Sequence, residues 1–108
     1  MMLPNRLNLY KATEDQLKAF KQQTGITPNV AARVAFAVSL DKGYIHTDDG
    51  TRPDGTLNLD RSTWFGEYIT LYEALLVALY PEASSEKLER AWARHVEAGL
   101  PDLRNELL

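Results

Sequence analysis

At 108 residues, 44% of them apolar and 25% charged, the chain suits one globular domain, residues 1–108, with a modest core. It has no cysteine, which excludes disulfides, thiolate metal sites, iron–sulfur clusters and a cysteine nucleophile, and is compatible with a reducing compartment. The net charge of −3 hides an asymmetry: residues 1–43 carry six bases against three acids (+3), and residues 44–108 carry six bases against twelve acids (−6). That split directs any polyanion to the first half, although composition alone favours an unevenly charged, solvated surface.

No charged segment followed by an apolar run opens the sequence, so no signal peptide is expected. Glu67 and Glu73 interrupt the longest apolar stretch, so no membrane span is expected.

Residues 6–10, Arg-Leu-Asn-Leu-Tyr, read as a short strand with Leu7 and Leu9 on one face and Arg6, Asn8 and Tyr10 on the other. "TEDQ" at 13–16 has the form of a capping box. A first helix then runs to about Gln23, with Leu17 and Phe20 inward and Lys18, Lys21 and Gln22 outward. Gly25 suits a left-handed helix end, while Thr27 and Pro28 suit the start of the next helix.

That second helix, to about Lys42, is apolar nearly all round. Val30, Val34 and Val38 form one stripe, and Ala31, Ala35 and Ser39 form another of small residues. Such a helix must be buried nearly all round, by another subunit or by the later helices, and an oligomer interface along the small stripe is expected. Arg33 interrupts it and is expected in an ion pair or an interface hydrogen bond.

"HTDDGTRPDG", 46–55, is turn chemistry. A second strand is expected at 56–60, followed by a third helix over about 62–80, bent at Gly66, as the central core helix. A fourth, from Ser84 or Ser85 to Ala98, carries Leu88, Trp92 and Val96 inward and a Glu86–Arg90 pair; Gly99 and Pro101 are expected to stop it.

"LNLYKAT" at 7–13 and "LNLDRST" at 57–63 are nearly the same phrase. The likeness ends at Thr63, too soon for a duplicated domain. Each is a short strand feeding a capped helix, and a lone strand needs a partner. The economical expectation is that the two pair, Leu7 and Leu9 sharing a core face with Leu57 and Leu59; the competing one pairs 6–10 with its copy in a second subunit. The fold class is therefore mainly α, with a ribbon-helix-helix-like first half, two further helices and two short strands.

Residues 5–42 resemble the plan of ribbon-helix-helix proteins, dimers whose paired strands enter the DNA major groove. A longer likeness spans Leu3 to Asn105. "LPNRLNLYKATEDQLKAFKQQTGITPNVAARVAF", "DGTLNLDRSTWFGE", "LYP" and "AWARHVEAGLPDLRN" together resemble DndE, the small component of the bacterial Dnd system. That system replaces a non-bridging phosphate oxygen of DNA with sulfur. The resemblance implies a cytoplasmic, mainly helical homotetramer that binds duplex DNA, preferably nicked, through surface lysines. It also implies partners: a cysteine desulfurase, a sulfur-transfer protein and an ATPase. Without cysteine this chain can carry no persulfide, so the sulfur must travel on a partner.

Lysine and arginine make the phosphate contacts that dominate DNA affinity. Lys11, Lys18 and Lys21 are the first candidates. A solvated helix face is their ordinary fate, and the family resemblance is what favours DNA. The amides near Thr27 and Asn29 could hold another phosphate. Arg6, Asn8 and Tyr10 would read bases if the strand entered a groove as in ribbon-helix-helix proteins, which would make a sequence-specific regulator. A pure assembly module is the other alternative.

An enzyme is disfavoured. His46, Asp48, Asp49 and Asp54 share a loop without the spacing of a known metal site, and His95 is expected to be packed or at the surface. There is no phosphate loop or nucleophile motif, and no cofactor is expected.

Overall fold

The structure, a computed structural model, describes residues 2–107. Its chain order is β1 (Arg6–Leu7), α1 (Lys11–Thr24), α2 (Pro28–Asp41), β2 (Leu59–Asp60), α3 (Arg61–Phe65), a 3-10 turn (Gly66–Tyr68), α4 (Ile69–Leu79) and α5 (Ser85–Leu107). The fold is mainly α, as the helical periodicities require. The two "LNL" segments do pair, antiparallel and within one chain, with Arg6 opposite Asp60 and Leu7 opposite Leu59. Leu7 and Leu9 are fully buried, and Leu57 and Leu59 pack partly buried on the same core. The strands are only two residues each, shorter than the 6–10 and 56–60 expected. With β1 already paired inside the chain, the intersubunit ribbon of a ribbon-helix-helix dimer is not formed here.

Helix α1 begins three residues earlier than the "TEDQ" box predicted, and its cap comes from far away. The Asp54 carboxylate accepts from the Lys11 backbone N–H at 2.7 Å, and Thr13 is buried instead of capping. Gly25 closes α1 at φ 80, in the left-handed region a glycine enters without penalty. Pro28 opens α2 as expected.

The expected third helix is three pieces. Asp60 caps α3 through the Thr63 N–H at 2.8 Å, and Gly66, at φ 61, ends it. The guanidinium of Arg33 donates to the carbonyls of Trp64 (2.8 Å) and Thr63 (3.0 Å), satisfying the end of α3. Arg33 thus makes intrachain hydrogen bonds.

The centre of the core is the α2–α5 pair, the most extensive contact between elements, not the third helix. The small-residue stripe expected to face another subunit, Ala31, Ala35 and Ser39, is buried within this chain. Gly99 shows why. A Cβ there would overlap the Ala35 carbonyl oxygen and lie 2.6 Å from its carbon, so α5 rides directly on the backbone of α2. Gly99 is a packing residue in mid-helix, and α5 continues through Pro101 to Leu107. Trp64, Phe65 and Trp92 fill the adjoining space edge to face, with centroids 5.1 and 5.5 Å from Trp92, and the Trp64 indole donates to the Leu7 carbonyl at 3.0 Å.

Helix α4, by contrast, buries only Leu76. Leu71 of α4 (54%) and Tyr68 of the preceding 3-10 turn (51%) are exposed, and Val30 and Val34 of α2 are 41% and 42% exposed. No helix among the described residues is long and apolar enough to cross a membrane.

Candidate nucleic-acid interface

The three candidate lysines all lie on α1, but their surroundings differ. The Lys11 ammonium sits 2.8 Å from Asp15 and 3.3 Å from Glu14, and Lys18 sits 3.0 Å from Glu14. Lys21 is exposed and has no carboxylate within ion-pair distance among the described residues. Glu14 is fully buried. It accepts from the Leu57 N–H at 2.7 Å and from the Thr56 hydroxyl at 3.1 Å, so it also ties α1 to the approach of β2. Burial alone would raise its carboxyl, but the Leu57 N–H, Lys18, Thr56 and Lys11 together outweigh that and lower it to about 2.

Lys18 and Lys21 line a groove of about 570 Å³ together with Gln22, Pro28, Asn29, Leu57 and Leu59. Three elements build it: the polar face of α1, the start of α2 and the segment leading into β2. Thr27 makes no side-chain cap bond, so the leading amides of α2 are left without a side-chain acceptor. The Asn29 side chain reaches instead to the Thr63 carbonyl at 3.1 Å. The groove thus has cations on one wall, a helix start on another and an apolar floor.

The strand candidates are placed differently from the lysines. Arg6 is exposed, but its guanidinium already donates to the Asn58 side-chain oxygen and carbonyl, both at 2.7 Å. Asn8 is half-buried, its amide donating to the Gly55 carbonyl at 2.7 Å and its backbone N–H to Glu89 at 2.9 Å. Tyr10, expected on the outer face, is buried. Its hydroxyl donates to the Thr51 carbonyl at 2.7 Å, and the Arg94 guanidinium stacks 3.8 Å from its ring centre. The inward–outward alternation holds through Leu9 and fails only at Tyr10, which lies past the two-residue strand and directly before α1. The structure therefore brings Lys18 and Lys21 together at one groove, sets Lys11 behind Glu14, and leaves Arg6, Asn8 and Tyr10 outside it.

The acidic loop is used in holding the fold. Asp48 makes a two-pronged ion pair with Arg90 at 2.7 and 2.8 Å, where Glu86 had been the expected partner. Asp49 lies 3.6 Å from Arg94, and Asp54 caps α1. No group of three metal-ligating side chains occurs among the described residues. His95 is fully buried between the Ser39 hydroxyl and the Tyr80 hydroxyl, each at 2.7 Å. Desolvation, then the neighbouring His46, lowers its imidazole to about 4, so it is neutral near pH 7.

Sequence reasoning missed what Glu14, Asp54 and Asn58 do: Glu14 accepts from Leu57, Asp54 caps α1 and Asn58 holds Arg6. Only Glu14 left a signal: it stands three residues after Lys11 and four before Lys18, the spacing of paired charges on one helix face.

A family model described as DNA sulphur modification protein DndE matches residues 6–107. The chain belongs to the DndE family. The crystal structure of DndE from Escherichia coli B7A, described as involved in DNA phosphorothioation modification, is 50% identical, with a TM-score of 0.92 over 96% of this chain and all of that one. A crystal structure of the DndE G21/24K mutant, also described as involved in DNA phosphorothioation, is 47% identical, with a TM-score of 0.88 over 95% of this chain and all of that one. No curated protein matches. The DndE resemblance expected from the sequence is thereby borne out, and DNA sulphur modification is the process in which the family acts.

Proposed function

We propose that this DndE-family chain is a non-catalytic DNA-binding component of the sulfur-modification machinery, gripping duplex DNA through phosphates. The observation that carries this reading is the groove where Lys18 and Lys21 converge with the start of α2. Lysines on one wall and free leading amides on the other suit a phosphate, and the apolar floor of Leu57 and Leu59 suits a sugar or an unstacked base. A nick exposes both a terminal phosphate and a loosened base, so nicked duplex is the favoured ligand. One copy offers few free cations, and the chain carries a net −3. Four copies, joined through apolar surface such as Val30, Val34, Tyr68 and Leu71, would bring several grooves to one duplex and gain avidity. The protein works in the cytoplasm beside a desulfurase, a sulfur-transfer protein and an ATPase, which handle the sulfur this cysteine-free chain cannot carry.

Changing Lys18 and Lys21 together to Ala tests this. Each lost phosphate contact should flatten the slope of log affinity against log salt by about 0.9. Binding to all sequences should weaken alike, with the oligomeric mass unchanged. An unaltered slope and affinity would remove the groove from the DNA site. A pure assembly role is the second reading, favoured by the same exposed apolar side chains of α2 and α4; it predicts no salt-dependent DNA retention.

A further inference from the structure

We propose that Glu14 is a positioning residue that holds back two of the three α1 lysines, so that the protein grips DNA phosphates less tightly than its basic face would allow. The inference rests on the phosphate-binding reading above and names a control within it. Glu14 has no freedom to move aside. Its carboxylate is anchored by the Leu57 N–H at 2.7 Å and the Thr56 hydroxyl at 3.1 Å, and a Cβ on the neighbouring Gly55 would come within 2.7 Å of it. Lys18 at 3.0 Å and Lys11 at 3.3 Å are therefore tied to a fixed negative charge. Asp15, the second partner of Lys11, is exposed and can rotate into water; Glu14 is wholly buried and cannot.

A phosphate approaching Lys18 must share it with Glu14 and is repelled by that carboxylate at short range, where screening by salt is weak. Only Lys21 meets a phosphate unencumbered. The cluster of Lys11, Lys18 and Glu14 carries a net +1, against the +2 of the two lysines counted alone.

The sign of one substitution separates the two roles. Glu14→Gln keeps the size of the side chain and an oxygen for the Leu57 N–H, but removes the charge. DNA affinity should then rise on the order of fivefold, the strength of two partly exposed ion pairs released to the ligand. The salt slope should steepen by up to about 0.9. In the wild-type chain, Lys21→Ala should cost more affinity than Lys18→Ala or Lys11→Ala. In the Glu14→Gln background, Lys18→Ala should cost more than it does in the wild type. The probe is a synthetic duplex, intact and nicked, titrated at two salt concentrations.

A folded Glu14→Gln protein that binds no more tightly, while Lys21→Ala still weakens binding, would overturn the role of Glu14 and leave the DNA site standing. If Glu14→Gln does not fold, the lysine ranking decides: Lys18→Ala or Lys11→Ala costing as much as Lys21→Ala would overturn the proposal. Three lysine variants that all bind as the wild type does would overturn both this inference and the phosphate-binding reading.

Discussion

Gly99→Ala sets two known effects against each other. In mid-helix, exchanging Gly for Ala ordinarily stabilises by about 1 kcal/mol, through propensity and the entropy of the unfolded chain. At Gly99 the added Cβ would overlap the Ala35 carbonyl oxygen and lie 2.6 Å from the Ala35 carbonyl carbon. Ordinary carbon contacts begin near about 3.5 Å, so the backbones of α2 and α5 must separate by about 1 Å or more. No flexible side chain can yield, because the obstacle is main chain. Forcing extra volume into a packed core costs about 1–3 kcal/mol, and the gap would loosen the contacts of Phe36, Trp92 and Val96 along the same seam.

The obstacle is main chain, so the steric cost lies at the upper end of that range, and Gly99→Ala should lose up to about 2 kcal/mol net. The assay is urea unfolding followed by tryptophan fluorescence, Trp64 and Trp92 being buried reporters. Ala19→Gly, on the exposed face of α1, is the control and should lose about 1 kcal/mol by propensity alone. A Gly99→Ala midpoint equal to or above the wild type would refute the close approach of α5 to α2.

Glu14 should make the fold acid-sensitive. Its folded value of about 2 lies below the ordinary 4.5, so its contribution is complete above pH 4.5 and lost as pH falls toward 2. That loss amounts to about 3 kcal/mol at most, and a urea midpoint unchanged between pH 5 and pH 2.5 would contradict it. Ala35→Lys should unfold the single chain, since it buries an unpaired charge between α2 and α5, whereas Val34→Lys should leave the fold intact and, if α2 joins subunits, reduce native mass. Circular dichroism and native mass spectrometry tell these two apart. Asp54→Ala should lose about 1 kcal/mol, the usual worth of a helix cap, read as a lowered thermal midpoint; no change would mean the Lys11 N–H is satisfied by water.

Much of the fold was legible where the governing physics is local. Gly25 and Pro28 bracket the α1–α2 turn because a left-handed residue and a residue without an N–H are each favoured at one helix end. The pairing of the "LNL" segments followed from the cost of an unpaired strand edge. What failed was mostly nonlocal. Small residues along α2 announce that a backbone will come close, but not whose. Gly99 looked like a stop signal because its packing partner, Ala35, is 64 positions away. α4 is apolar enough to be a core helix, yet only Leu76 of it is buried.

The site was legible in the same partial way. The residue types and spacing of Lys18 and Lys21 put two cations on one face, and the structure sets them at a groove. Whether a lysine is free to meet a phosphate depends on what faces it, and here that is decided by Gly55, Thr56 and Leu57, some forty residues downstream, which clamp Glu14 in place. Counting cations along a helix therefore overstates the field it presents. The useful quantity is the charge left after each buried, immobile counter-charge is subtracted, because an exposed partner such as Asp15 can swing away from an incoming polyanion while a buried one continues to compete with it.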